Sequence, residues 1–84
     1  MTNITVFTDK APTLEELQKL VGGYIEVVES LDGEADIVLD EEGKLKGKEV
    51  NESATKLWLG DDKADWFDVL VGDVAVCRGK ARLA

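Results

Sequence analysis

The side chains in this 84-residue chain that could do chemistry are mostly carboxylates. Asp40-Glu41-Glu42 forms one acidic run, and Asp61, Asp62 and Asp65 form a second. Oxygen ligands so placed can hold Ca²⁺ or Mg²⁺, but neither run follows the D-x-[DN]-x-[DN]-G order of a calcium loop. A solvated acidic loop accounts for both, so no metal site and no cofactor is expected. Paired carboxylates acting as acid and base need a cleft and pKa values pushed apart, and the spacing points to neither. The chain has no histidine, which excludes Ser/His/Asp and Cys/His catalysis and any zinc site built on imidazole. Cys77 is the single cysteine. It ends the apolar run Val74-Ala75-Val76 and reads as a small core side chain, not a reactive thiol. No GxxxxGK[ST] phosphate loop is present. Without a nucleophile and base, an enzyme is not expected.

Three sets of residues are candidates for binding instead. Tyr24 and Glu26 follow the double glycine Gly22-Gly23, where a lowered side-chain wall would leave a recognition edge with an amphipathic tyrosine. The competing reading is that Tyr24 packs over the end of the preceding helix. Asn51 and Thr55 lie one helical turn apart and could present polar groups to a ligand. The favoured reading is a helix N-cap and a neighbouring surface residue. Trp58 and Trp66 flank the stretch holding Asp61 and Asp62, and aromatic side chains beside carboxylates suit a protein-docking patch. The alternative is that both tryptophans cap the edge of the core.

Charge and composition narrow the partners. The formal net charge is −8, the opposite of what replaces counterions on a nucleic acid, so direct nucleic-acid binding is not expected. Anionic membranes are disfavoured for the same reason. Acidic side chains can steer docking onto a basic protein surface, or simply keep the chain soluble. Hydrophobic residues make up 44% and charged residues 33% of the chain, a globular balance. No apolar run approaches the ~20 residues that span a bilayer. The start, "MTNITVFTDK", lacks a basic segment followed by an apolar one, so no signal peptide is expected. With a lone cysteine, a reducing cytoplasm is the expected compartment.

The elements that would position these residues follow from local pattern. Ile4 to Thr8 alternates β-branched and aromatic residues and predicts a strand. Thr13-Leu14-Glu15-Glu16 is a capping box, and Leu14, Leu17, Leu20 and Val21 then recur at helical spacing. Gly22 suits the helix end because it can adopt a positive φ. Since "VGGY" follows a helix and precedes a strand, it is not a dinucleotide fingerprint, which needs the reverse order. Tyr24 to Ser30 and Asp36 to Asp40 predict two strands of a hairpin about Asp32-Gly33. Lys44-Leu45-Lys46 reads as a short polar edge strand. Asn51 to Gly60 predicts a second helix, and Phe67 to Cys77 a buried strand with a bulge or turn at Gly72. The tail, Arg78 to Ala84, is short and basic.

The resulting order is β-α-β-β-β-α-β in a single domain over residues 1–84. The expected fold class is α+β, with a small, mainly antiparallel sheet of four to five strands and two helices packed on one face. The expected core is Ile4, Val6, Leu14, Leu17, Leu20, Ile25, Val27, Val38, Leu57, Val71, Val74 and Val76. A domain of this size buries roughly 60% of the surface its unfolded chain exposes, so a homo-oligomer would add stability.

The segments "LEELQKLVGGYIEVV", "VLDEEGKLKG", Asn51 to Thr55 and "DVLVGDVAV" occur in that order. Together they resemble the DUF3846 family, a domain of unknown function found in bacteria, plasmids and phages. The similarity spans Leu14 to Val76, and its specific parts are the glycine joint and the E-E-G-K-L turn. Asp40 stands where that pattern usually has asparagine, and Lys48-Glu49-Val50 replaces a more apolar, proline-containing segment. The resemblance assigns no catalytic or binding residue. It implies a context: a small accessory protein of a phage or mobile element, working in a bacterial cytoplasm. The expected function is therefore non-enzymatic binding of a host or partner protein. The alternative is a module that binds or sequesters a nucleotide or metabolite, with its site at an oligomer interface. Lys44, Lys46, Arg78, Lys80 and Arg82 would then be the basic residues available for a phosphate.

Overall fold

Alternating β-branched residues form the strands, and both helices are closed by their caps. The computed structural model describes residues 2–60 and 69–83. Strand β1 is Ile4–Phe7, helix α1 is Leu14–Val21, strands β2 and β3 are Ile25–Glu29 and Ala35–Asp40, helix α2 is Glu52–Leu59, and strand β4 is Val74–Arg78. A 3₁₀ turn, Gly79–Ala81, follows β4. The capping box of α1 is complete: Thr13 Oγ1 accepts from the Glu16 amide at 3.1 Å, and the Thr13 amide donates to Glu16 Oε1 at 2.8 Å. Gly22 ends α1 at φ +86°, and the Gln18 carbonyl accepts from both the Gly22 and Gly23 amides.

The four strands form one sheet in the order β1-β4-β3-β2. β2 and β3 pair antiparallel from Ile25 opposite Asp40 to Glu29 opposite Asp36. β3 and β4 are also antiparallel, while β1 lies parallel to β4. The fold is α+β with a four-stranded mixed sheet. Lys44-Leu45-Lys46 is not a strand: residues 41–47 coil into successive turns, with the Lys46 amide bonded to the Glu42 carbonyl. Asp40 accounts for this: its bonds to the Glu42 amide, Lys46 and Lys48 hold the segment in turns instead of letting it run alongside β3.

The helices do not share one face. Alternate residues of a strand point to opposite faces, and the two apolar clusters follow that alternation. Val38, Ala75 and Cys77 pack with Leu17 and Val21 of α1. Ala35, Ile37, Leu39, Val74 and Val76 pack with Ala54 of α2 and with Leu70. The central strands β3 and β4 are apolar on both faces, so each face needs a cover, and one helix covers each. That double cover also corrects the expected core. Val6, Leu14 and Val27 are exposed, two of them on the edge strands β1 and β2. The apolar segment before β4 is only partly strand: Val71 forms an isolated bridge with Val50, and Gly72 then turns the chain at φ +78°.

Candidate functional site

Five charged side chains are consumed inside the fold. Asp40 is nearly fully buried, and its carboxylate receives Lys46 Nζ at 2.7 Å, Lys48 Nζ at 2.8 Å and the Glu42 amide at 2.9 Å. The same two ammonium groups reach the end of α1, where Lys46 donates to the Gly22 carbonyl and Lys48 to the Val21 carbonyl. Cations there complement the negative end of the helix dipole. The double glycine is what admits them. A Cβ on Gly23 would lie 2.7 Å from Lys46 Nζ and 2.9 Å from Asp40 Oδ1. Burial pushes the Asp40 carboxyl up, but the bonds from Lys46, Lys48 and the Glu42 amide outweigh it and hold the group at about 2. Asp36, on the same face of β3, is clamped at the other end by Arg82, with Nη2 to Oδ1 at 2.9 Å. That bond, with the Leu83 amide and the Arg82 charge, lowers the Asp36 carboxyl against its burial. Arg82 also holds Glu29 at 3.0 Å and the Gly33 carbonyl at 2.7 Å.

Asn51 and Thr55 come together as the sequence spacing requires, but they face inward. Asn51 is buried. Its Oδ1 caps the Ala54 amide at 3.1 Å, and its Nδ2 donates to the Gly72 and Asn3 carbonyls. Thr55 is also buried, not a surface neighbour: its hydroxyl donates to the Asn51 carbonyl and accepts from the Leu70 amide. Neither has a group left for a ligand. They fasten α2 to residues 70–72. The depression beside them, about 700 Å³ between residues 2–4 and 49–53, is lined by Glu49 and Glu52 together with Thr2, Asn3 and Ser53.

Glu26 and Trp58 are the expected site residues that meet elsewhere. Both line a cleft of about 200 Å³ on the α2 face, with Val28, Leu39, Leu70 and Val71 as apolar lining and Lys44, Leu45 and Glu41 also lining it. Tyr24 does not fold over α1. It is 70% exposed one residue before β2, and Leu45 is 86% exposed. Among the described residues the Glu26 side chain has no hydrogen bond or ion pair. Asp61, Asp62 and Trp66 lie outside the described residues. The inward ion pairs of Asp40 and Asp36 escaped the sequence reading, although "DIVLD" as a strand places both aspartates on one face. Cys77 is fully buried, and burial and the Asp36 charge push its thiol up. Among the described residues no three His, Cys, Asp or Glu side chains converge as metal ligands. There, too, no helix is long and apolar enough to cross a membrane.

No curated protein and no solved structure matches this chain. The model of DUF3846, a domain of unknown function, matches residues 2–82, nearly the whole length, and the chain belongs to that family.

Proposed function

We propose that this chain is a small, non-enzymatic accessory protein that acts by binding another protein. Its setting is a bacterial cytoplasm, in a phage or mobile-element context. The cleft beside β2 is the observation that carries this reading. It joins an apolar floor and a tryptophan to Glu26, a carboxylate without a partner among the described residues, with the highly exposed Leu45 also lining it. Such a mixture suits the side chains of a protein surface. Its volume of about 200 Å³ falls below the ~300 Å³ at which small-molecule sites begin. Lys46 and Arg82, two of the cations a phosphate would use, are already committed to Asp40 and Asp36.

The test is affinity capture from a bacterial lysate, run beside a thermal-shift screen of nucleotides. A protein retained by the native chain and lost with Glu26→Lys and with Leu45→Ala is the expected outcome. A nucleotide-dependent rise in Tm, with nothing captured, would overturn the reading in favour of sequestering.

A further inference from the structure

Among the described residues β2 is an edge strand with one neighbour, and the bonding pattern shows which of its backbone groups point away from it. The Glu41 amide donates to the Tyr24 carbonyl, and the Ser30 amide donates to the Ala35 carbonyl. Antiparallel pairs alternate between bonded and non-bonded, so Glu26 and Val28 bond to β3, and Ile25, Val27 and Glu29 turn their N–H and C=O groups outward. Among the described residues, no loop or turn amide or carbonyl takes up those outward groups. Native sheets blunt such an edge with lysine, proline or a bulge. β2 has none of these: it is I-E-V-V-E, with unbroken register from Ile25 to Glu29. The other edge, β1, is shorter and carries no charged residue.

We infer that the outer edge of β2 accepts an extended, cationic segment of a partner protein as an antiparallel fifth strand, with one Lys or Arg side chain seated in the cleft between Glu26 and Trp58. This rests on the protein-binding reading above and supplies its mode. Charge complementarity selects the occupant. The side chains of the added strand that face the α2 side lie beside Glu26, the unpaired carboxylate, and beside the tryptophan, whose ring face attracts a cation. Those on the α1 side lie beside Ile25, the exposed Val27 and Glu29, whose carboxylate Arg82 already holds, so they are apolar. The segment therefore alternates basic and apolar residues. A second copy of this chain is a poorer occupant, because pairing two β2 edges brings together two chains of net charge −8 and four glutamates. Backbone bonds then provide affinity, and the cleft provides specificity.

The probe is an acetylated, amidated heptapeptide alternating lysine and valine, read by amide exchange and titration in NMR. Exchange at Ile25, Val27 and Glu29 should slow at least tenfold at saturation. Methylating the peptide nitrogens at the valines, which point toward β2 in this pairing, should abolish binding, while methylating them at the lysines should not. Glu26→Lys should weaken binding at least tenfold. Val27→Pro should abolish it and leave the fold intact, because that N–H points away from β3. Binding without protection at these three amides would overturn the inference. So would equal binding of both methylated peptides, or a chain dimer that Val27→Pro dissolves. A lysate partner lost with Leu45→Ala but kept by Val27→Pro would leave protein binding standing and remove strand addition.

Discussion

Asp40 carries a negative charge almost entirely out of water, and two lysines and an amide make that tolerable. Its carboxyl is held at about 2, below its value in an unfolded chain. The stabilisation is therefore fully present above about pH 4 and lost as pH falls toward about 2. The difference corresponds to ~2 kcal/mol. Urea denaturation followed from pH 7 downward should show that loss. Asp40→Asn should be ~2–3 kcal/mol less stable at pH 7, because Lys46 and Lys48 lose a buried counter-charge. It should approach the native chain near pH 2. Gly23→Ala tests the same contact from the other side. The added Cβ would meet Lys46 Nζ and Asp40 Oδ1 inside 3.0 Å, and overpacking of this kind costs ~1–2 kcal/mol.

At the scale of elements, α2 depends on its cap. It is eight residues long, too short to be stable by propensity. Asn51 satisfies one of its amides and ties it to Asn3 and Gly72 at once. Asn51→Ala should lower the free energy of unfolding by ~2–3 kcal/mol, combining the lost cap with carbonyls left unpaired. Chemical denaturation measures it. The hairpin is secured similarly. Ser30 Oγ donates to Asp32 and accepts from the Ala35 amide, while the Leu31 amide bonds to the Leu57 carbonyl at the end of α2. A tight loop thus ends β2 beside β3, and among the described residues its outer edge has no backbone partner, the condition that strand addition requires.

Over the whole molecule, the central strands are apolar on both faces and the two ends of β3 carry clamped aspartates. Arg82 binds the C-terminal segment to Asp36, Glu29 and the Gly33 carbonyl, more than 45 positions away in sequence. Arg82→Ala should lower the free energy of unfolding, by an amount moderated because the guanidinium is partly exposed. It should also speed amide exchange in residues 33–36, which NMR can follow. The net charge of −8 acts at this scale too. Capture of a cationic partner should weaken as NaCl rises from 50 to 500 mM, a range over which screening shortens from roughly 14 to 4 Å.

Much of this was legible in the residues alone. The capping box at Thr13, the left-handed glycine after Val21, the cap at Asn51 and the β2–β3 hairpin are written locally, because each depends on neighbours within four or five positions. So is the absence of histidine chemistry. The faces and edges were not legible. Helical and strand periods say which residues share a side, but not which side of the sheet each helix takes. That was settled by β1 pairing with β4, seventy residues on, and by apolar residues on both faces of β3 and β4, which demand two covers. The predicted edge strand at Lys44-Leu45-Lys46 failed for the same reason. Lys44-Leu45-Lys46 alternates properly, but Asp40 binds Lys46 and folds the segment into turns. Glu26 and Trp58 became neighbours across one cleft only when α2 lay against the sheet. The sequence determined the elements and their ends, since those are short-range balances of backbone sterics and hydrogen bonding. Tertiary structure decided which charges are buried, which edge is open and which residues meet, since burial and pairing depend on parts of the chain that no local pattern relates.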